Sequence, residues 1–163
     1  MLDEKKLEAI IFDFDGVLTD NQVYVGQNGE EWVRCNRGDG LGFDILKNTH
    51  LKLFILSSET NPVVSQRGDK LKIPVYQGTK NKKSVLESLA KEENFNLKNT
   101  LFVGNDINDY YAMKACGFSA CPSDSHSLIL EITTHPLNSR GGEGVVRELV
   151  EDVLHLNLDH YLK

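Results

Sequence analysis

Two carboxylates stand one residue apart in Asp13-Phe14-Asp15-Gly16-Val17-Leu18-Thr19-Asp20, directly after an apolar run. Side chains alternate along a strand, so Asp13 and Asp15 converge only if the strand ends there and the chain turns back. Two converging carboxylates repel unless a cation sits between them. With oxygen donors and no His or Cys nearby, the cation that suits them is Mg²⁺. An aspartate held in this way can attack phosphorus, and the resulting aspartyl-phosphate divides one hard hydrolysis into two easier steps. An N-capping Asp followed by a turn Asp accounts for the same pair without any chemistry.

Three further groups follow in order. Ser57, in Ser57-Ser58-Glu59, can donate its hydroxyl to a phosphate oxygen or cap a helix. Lys82, in Lys80-Asn81-Lys82-Lys83, stands at a helix start, where the dipole disfavours a cation. An inward lysine there would serve as a point charge for a phosphoryl group, and outward ones would form a solvated face. The acids of Gly104-Asn105-Asp106-Ile107-Asn108-Asp109 either cap a helix or complete a metal site. Gly38-Asp39-Gly40-Leu41-Gly42 lacks dinucleotide-loop spacing and reads as a turn into a helix. His50, His126, His135, His155 and His160 show no paired metal spacing and suit surface or cap positions.

The elements that must position these groups are strands Glu8 to Phe14, Leu51 to Leu56 and Thr100 to Val103, each ending in an acid-bearing polar stretch. Near-continuous apolar strands alternating with helices indicate a parallel sheet covered on both faces, which binds ligands at the carboxyl ends of its strands. Helices are expected at about 39–49, 61–71, 81–94, 106–116, 125–131 and 143–154, with Pro62 in a first turn capped by Asn61. Between the first strand and the first helix, Gln22 to Gly26 and Glu30 to Arg34 flank Asn28-Gly29, which predicts a β-hairpin closed by a type I′ turn.

Composition bounds the rest. The chain has 163 residues, 40% of them hydrophobic, which fits one domain, here 1–163. A net charge of −6 argues against nucleic-acid binding, and apolar runs of at most four residues argue against a membrane span. The charged N-terminus is unlike a secretory signal, and Cys35, Cys116 and Cys121 form no paired motif, so reduced thiols in a cytoplasmic protein are expected.

The ordered set of DxD, Ser, Lys and acidic cluster resembles the haloacid dehalogenase superfamily of phosphohydrolases, with DFDGVLTD its most specific piece. The resemblance implies a three-layer αβα Rossmann-like fold with a central parallel sheet and a small β-hairpin insertion, a flap at about 21–35, with no cap domain. It implies Asp13 as nucleophile, Asp15 as general acid and base, Ser57 and Lys82 on the phosphoryl group, and Mg²⁺ held by Asp13, Asp15 and the motif at Asn105 and Asp106.

Within the superfamily the chain is similar to the capless phosphatases of 3-deoxy-2-ulosonate phosphates and to the domain fused to acylneuraminate cytidylyltransferases. The hairpin, Tyr76-Gln77-Gly78 and the tail Arg140-Gly141-Gly142-Glu143-Gly144 carry that similarity. Ser57-Ser58-Glu59, with Lys70 eleven residues after Glu59, resembles the nonulosonate 9-phosphate branch, whereas octulosonate 8-phosphate enzymes carry Thr-Gly-Arg there. Arg140 is a candidate for a substrate carboxylate or phosphate. Asn105 stands where the superfamily usually has a metal-binding Asp, and it motivates the rival reading of a non-catalytic assembly or regulatory domain. A signalling receiver uses similar residues but places its acceptor Asp on a later strand. Without a cap, a hairpin alone cannot cover a sugar acid, so the resemblance implies a homotetramer whose neighbouring subunits complete the pocket.

Overall fold

A computed structural model describes residues 2–162; the side chain of His160 lies outside the described residues. Strand β1 (Ala9–Phe12) leads into a hairpin of β2 (Thr19–Val25) and β3 (Glu31–Cys35), followed by β4 (Lys52–Leu56), β5 (Val75–Tyr76), β6 (Thr100–Val103), β7 (Phe118–Cys121) and β8 (His135–Pro136). Helices α1 (Arg37–Leu46), α2 (Val63–Leu71), α3 (Lys82–Glu92), α4 (Tyr110–Ala115), α5 (Ser127–Ile132) and α6 (Val145–Glu148) alternate with the sheet strands. The six-stranded sheet runs β5-β4-β1-β6-β7-β8 with every neighbouring pair parallel. No helix among the described residues is long and apolar enough to cross a membrane.

Strand parity divides the core. Ile10 and Phe12 pack with Phe43, Leu46, Val146 and Leu149 on one face of the sheet. Ala9 and Ile11 pack with Leu86, Leu89 and Met113 on the other. All four β1 side chains are therefore buried, which is why this strand reads as a continuous apolar run. The expected three-layer architecture is present.

Several boundaries differ from expectation. The helix predicted over 106–116 begins at Tyr110, because the Asp109 carboxylate accepts from the backbone N–H groups of Asn105 and Asp106 and holds the first turn open. The helix predicted over 143–154 is α6 followed by a π-helical turn, Leu149–Val153. The N-cap position of α2 is Pro62, yet the Asn61 carboxamide still accepts from Val63 N at 3.0 Å. At the hairpin tip only Gly29 has positive φ, and Gly29 N donates to Gly26 O, so a type I turn with a following glycine bulge replaces the type I′ turn. Strands β5, β7 and β8, of two to four residues, are too short for a periodic signal. The histidine expectation holds where it can be followed for His126, whose Nδ1 accepts from Leu128 N at the start of α5. Among the described residues the three cysteines are free.

Asp39 joins the two ends of the chain. Its Oδ1 accepts from Val146 N at 2.9 Å and Arg147 N at 3.2 Å, which ties α1 to the start of α6, while Oδ2 is buried without a partner. Burial pushes this carboxyl up to about 6, against the opposing pull of the two backbone donors and of Arg67 and Arg147. A raised folded value means that the stability supplied by protonated Asp39 is complete below the unfolded value and is lost as pH rises through about 6. The gap between the unfolded value and about 6 corresponds to ~3 kcal/mol. The stability of Asp39→Asn relative to wild type is therefore expected to rise by up to ~3 kcal/mol from about pH 4 to about pH 7 in urea denaturation. A difference that does not change with pH would contradict this assignment.

Candidate active site

Strand β1 lies between β4 and β6, and these three strands deliver Asp13, Ser57 and Gly104-Asn105 to one edge of the sheet. Asp13 N donates to Val103 O and Ser57 N donates to Tyr76 O, both at 2.8 Å, so the ladder hydrogen bonds set the height of each residue. A pocket of about 280 Å³ opens there, lined by Asp13, Asp15, Asn21, Ser57, Ser58, Glu59 and the run Asn105 to Asn108.

The turn after β1 brings Asp15 back to this pocket. Phe14 O accepts from the N–H groups of Val17, Leu18 and Thr19, and Gly16 adopts φ 80°. Gly16 is also a packing requirement, since a Cβ there would lie 1.9 Å from Asn105 Nδ2. The glycine-rich tail closes over the same turn. Gly142 N donates to Val17 O at 3.0 Å, and a Cβ on Gly141 would meet Gly16 O at 2.2 Å.

Lys82, the first residue of α3, points inward while Lys80 and Lys83 are exposed. Only 2% exposed, its ammonium lies 2.6 Å from Asp13 Oδ1 and 2.6 Å from Asp109 Oδ1. Burial by itself would lower the Lys82 ammonium, but the carboxylates of Asp13 and Asp109 outweigh it and hold the group charged. Burial, followed by repulsion from Asp109, pushes Asp13 well above the usual carboxylate range against the pull of Lys82. Burial also raises Asp15, with the Thr19 hydrogen bond opposing and the Glu59 carboxylate adding to the rise.

One ammonium among Asp13, Asp15 and Asp109 leaves the site short of positive charge, and the donors fit a hard cation. Among the described residues no three His, Cys, Asp or Glu side chains gather as a metal set. The third donor is an amide instead: Asn105 Oδ1 is buried without a hydrogen-bond partner beside the two aspartates lining the pocket. An oxygen-only set of this kind suits Mg²⁺, and Asn105 makes it one negative charge poorer than a carboxylate would. Asp106 lines the pocket too, although its Oδ1 accepts from Ile107 N.

The structure gathers most of the expected residues and leaves two outside. Ser57 is buried, with Oγ accepting from Glu59 N at 3.1 Å, and Ser58 Oγ accepts from Asn108 Nδ2 at 3.1 Å. Glu59 faces the pocket, with Oε1 accepting from Thr60 N and Asn61 N. Lys70 does not reach the pocket of its own chain: it lines a separate basic groove with Arg37 and Arg67, since the register of α2 turns it towards α1. Arg140 is 66% exposed... its side chain pairs with Asp124 at 3.4 Å rather than entering the pocket. Asn21 joins the site without having been singled out, and Ile107 and Asn108 line it as members of the acidic motif whose acids alone were weighed for chemistry. Asp109, one of those acids, takes neither expected role alone: it binds Lys82 and holds the loop.

Comparison with known proteins agrees with this geometry. Residues 46–149 match the family model of haloacid dehalogenase-like hydrolases. The chain is 32% identical over 155 residues to the 3-deoxy-D-manno-octulosonate 8-phosphate phosphatase of Haemophilus influenzae, covering 93% of this chain and 86% of that protein. The cobalt-bound structure of the Haemophilus influenzae enzyme superposes with a TM-score of 0.87 at 30% identity, over 93% of this chain and 89% of the other. The Moraxella catarrhalis enzyme, solved with magnesium, phosphate and KDO, gives a TM-score of 0.88 at 28% identity, over 93% and 87% of the two chains. The chain belongs to the haloacid dehalogenase-like hydrolases.

Proposed function

We propose that this protein is a Mg²⁺-dependent phosphatase of a phosphorylated 3-deoxy-2-ulosonate. The observation that carries the reading is the buried Asp13, bonded to Lys82, with Asp15 facing the same pocket. Asp13 attacks phosphorus as the bond to the sugar oxygen breaks, and Asp15 delivers a proton to that oxygen. Asp15 then takes a proton from the water that attacks the aspartyl-phosphate, which releases phosphate and restores the Asp13 carboxylate. Lys82 spends two N–H groups on Asp13 and Asp109, and its third is left for a phosphoryl oxygen. Ser57 donates its hydroxyl to another. Mg²⁺, held by Asp13 and Asn105 with Asp15 beside them and Asp106 at the rim, would supply the positive charge that the transferring group needs.

Among the described residues the only cation offered to this site is Lys82, buried beneath it and committed to the phosphoryl group, whereas an ulosonate phosphate carries a carboxylate besides its phosphate. A cation for that carboxylate has to come from elsewhere. We assign it to the Arg37, Arg67 and Lys70 groove of a neighbouring copy, in a homotetramer. The hairpin supports association, since its cross-strand pair Tyr24 and Trp32 is 66% and 63% exposed and Val23 and Val25 are exposed beside it. Arg140 has a place in the same reading only if a neighbouring copy displaces it from Asp124. The protein is read as cytoplasmic, in line with three cysteines that form no paired motif.

Glu59 favours a nine-carbon, sialic-acid-like nonulosonate 9-phosphate, because it places a hydrogen-bonding carboxylate beside the sugar where the octulosonate pattern has Arg. The named relatives favour the octulosonate 8-phosphate as the second reading. Steady-state assays on both substrates decide between them, with at least a tenfold preference in kcat/KM expected for the nine-carbon compound.

Asp13→Asn is expected to abolish phosphate release with Mg²⁺ present, and chelation of the metal to do the same reversibly. Unchanged turnover in either case would refute the mechanism, and a protein that binds neither Mg²⁺ nor vanadate would be the non-catalytic domain. Lys70→Ala is expected to raise KM for the sugar acid with kcat largely kept. Light scattering should give a tetramer; a fully active monomer would exclude the shared pocket.

A further inference from the structure

Thr19 is wholly buried at the start of β2, paired with Cys35 and bonded to Asp15 and Asn21, which both line the pocket. Its hydroxyl oxygen has three polar neighbours. Gly16 N and Asn21 N each approach Oγ1 at 3.2 Å, and Asp15 Oδ1 lies 3.4 Å away. A hydroxyl has one proton to donate and two lone pairs to accept with. Both backbone N–H groups can only donate, so they occupy the lone pairs. The hydroxyl proton then has a single acceptor in reach, Asp15 Oδ1. Its orientation is imposed by the backbone of the turn and not by the state of the pocket.

We infer that Thr19 is a positioning residue that commits Asp15 Oδ1 as an acceptor and leaves Oδ2 as the oxygen that exchanges the proton with the leaving sugar oxygen and later with water. The inference rests on the proposed phosphatase reading. Three observations support it. Among the described residues, Thr19 makes the only hydrogen bond recorded to the Asp15 carboxylate. Asn21, at φ 62°, is held in a left-handed conformation that aims its N–H at Oγ1. The tail also braces Thr19 from outside, since a Cβ on Gly142 would lie 2.6 Å from the Thr19 carbonyl carbon. Two backbone N–H groups thus fix one hydroxyl rotor, the tail braces the residue that carries it, and that rotor fixes one carboxylate.

The test separates positioning of the proton donor from general disruption. An alkyl phosphate such as 3-deoxy-D-manno-octulosonate 8-phosphate needs a proton on its leaving oxygen, whereas p-nitrophenyl phosphate leaves as a stable phenolate. Thr19→Val should lower kcat/KM by about 10²-fold for the sugar phosphate and by less than about threefold for the aryl phosphate. Thr19→Ser, which keeps the hydroxyl, should retain the wild-type ratio between the two substrates. Equal losses on both substrates in Thr19→Val, or a Thr19→Ser that behaves like Thr19→Val, would overturn the assignment while leaving the phosphatase reading intact. A wild-type protein that releases phosphate from neither compound would remove both. If Thr19→Val does not fold, the wild-type protein decides: the Thr19 hydroxyl proton should give a slowly exchanging NMR resonance, and rapid exchange with water would overturn the fixed donor.

Discussion

The arrangement of the site depends on the Lys82 ammonium lying between Asp13 and Asp109, out of contact with water. Burying a charge is costly unless partners replace its hydration, and removing one member of such a group leaves the others uncompensated. The contact therefore constrains everything that delivers its members. Helix α3 must begin at the pocket, although a lysine in its first turn opposes the helix dipole, and the Asn81 side chain caps that turn by accepting from Ser84 N. Strands β1 and β6 must be neighbours in register, as they are from Ala9 and Thr100 to Phe12 and Val103.

Asp109 divides its two oxygens between charge and shape. Oδ1 faces Lys82, while Oδ2 accepts from Asn105 N and Asp106 N. The second role delays the start of α4 and places the Asn105 side chain against Gly16. A Cβ on Gly104 would lie 2.8 Å from the Asp109 carboxyl, so the loop admits this carboxylate only because Gly104 has no side chain. The same loop leaves Asn105 Oδ1 buried and, among the described residues, without a donor, so that the oxygen is available to the cation proposed above.

The pocket is polar, acidic and open, with its cations either buried beneath it or displayed elsewhere on the chain. A small α/β domain of this kind can hold a phosphoryl group but has little with which to enclose the remainder of a sugar acid. The exposed hairpin and the basic groove between α1 and α2 are the surfaces that the proposed assembly would use. The glycine-rich tail proves to have a structural duty instead, bracing the turn that carries Asp15.

Much of this was legible in the amino-acid sequence because it is local. The apolar strands, the acid-bearing ends of β1, β4 and β6, and the oxygen-only donor set are all matters of residue type and short spacing, and strand parity assigns the two core faces without reference to distant residues. Partnerships between distant segments were not legible in this way. That Lys82 turns inward while Lys80 and Lys83 do not depends on where α3 starts relative to β1 and β6. Lys70 faces Arg37 and Arg67 because packing of α2 on α1 sets its rotation, and Arg140 finds Asp124 only when the tail folds back. Spacing along the chain determined which chemistry was available. The tertiary structure decided which side chains share it, because each of those contacts joins segments whose separation is set by packing and not by sequence.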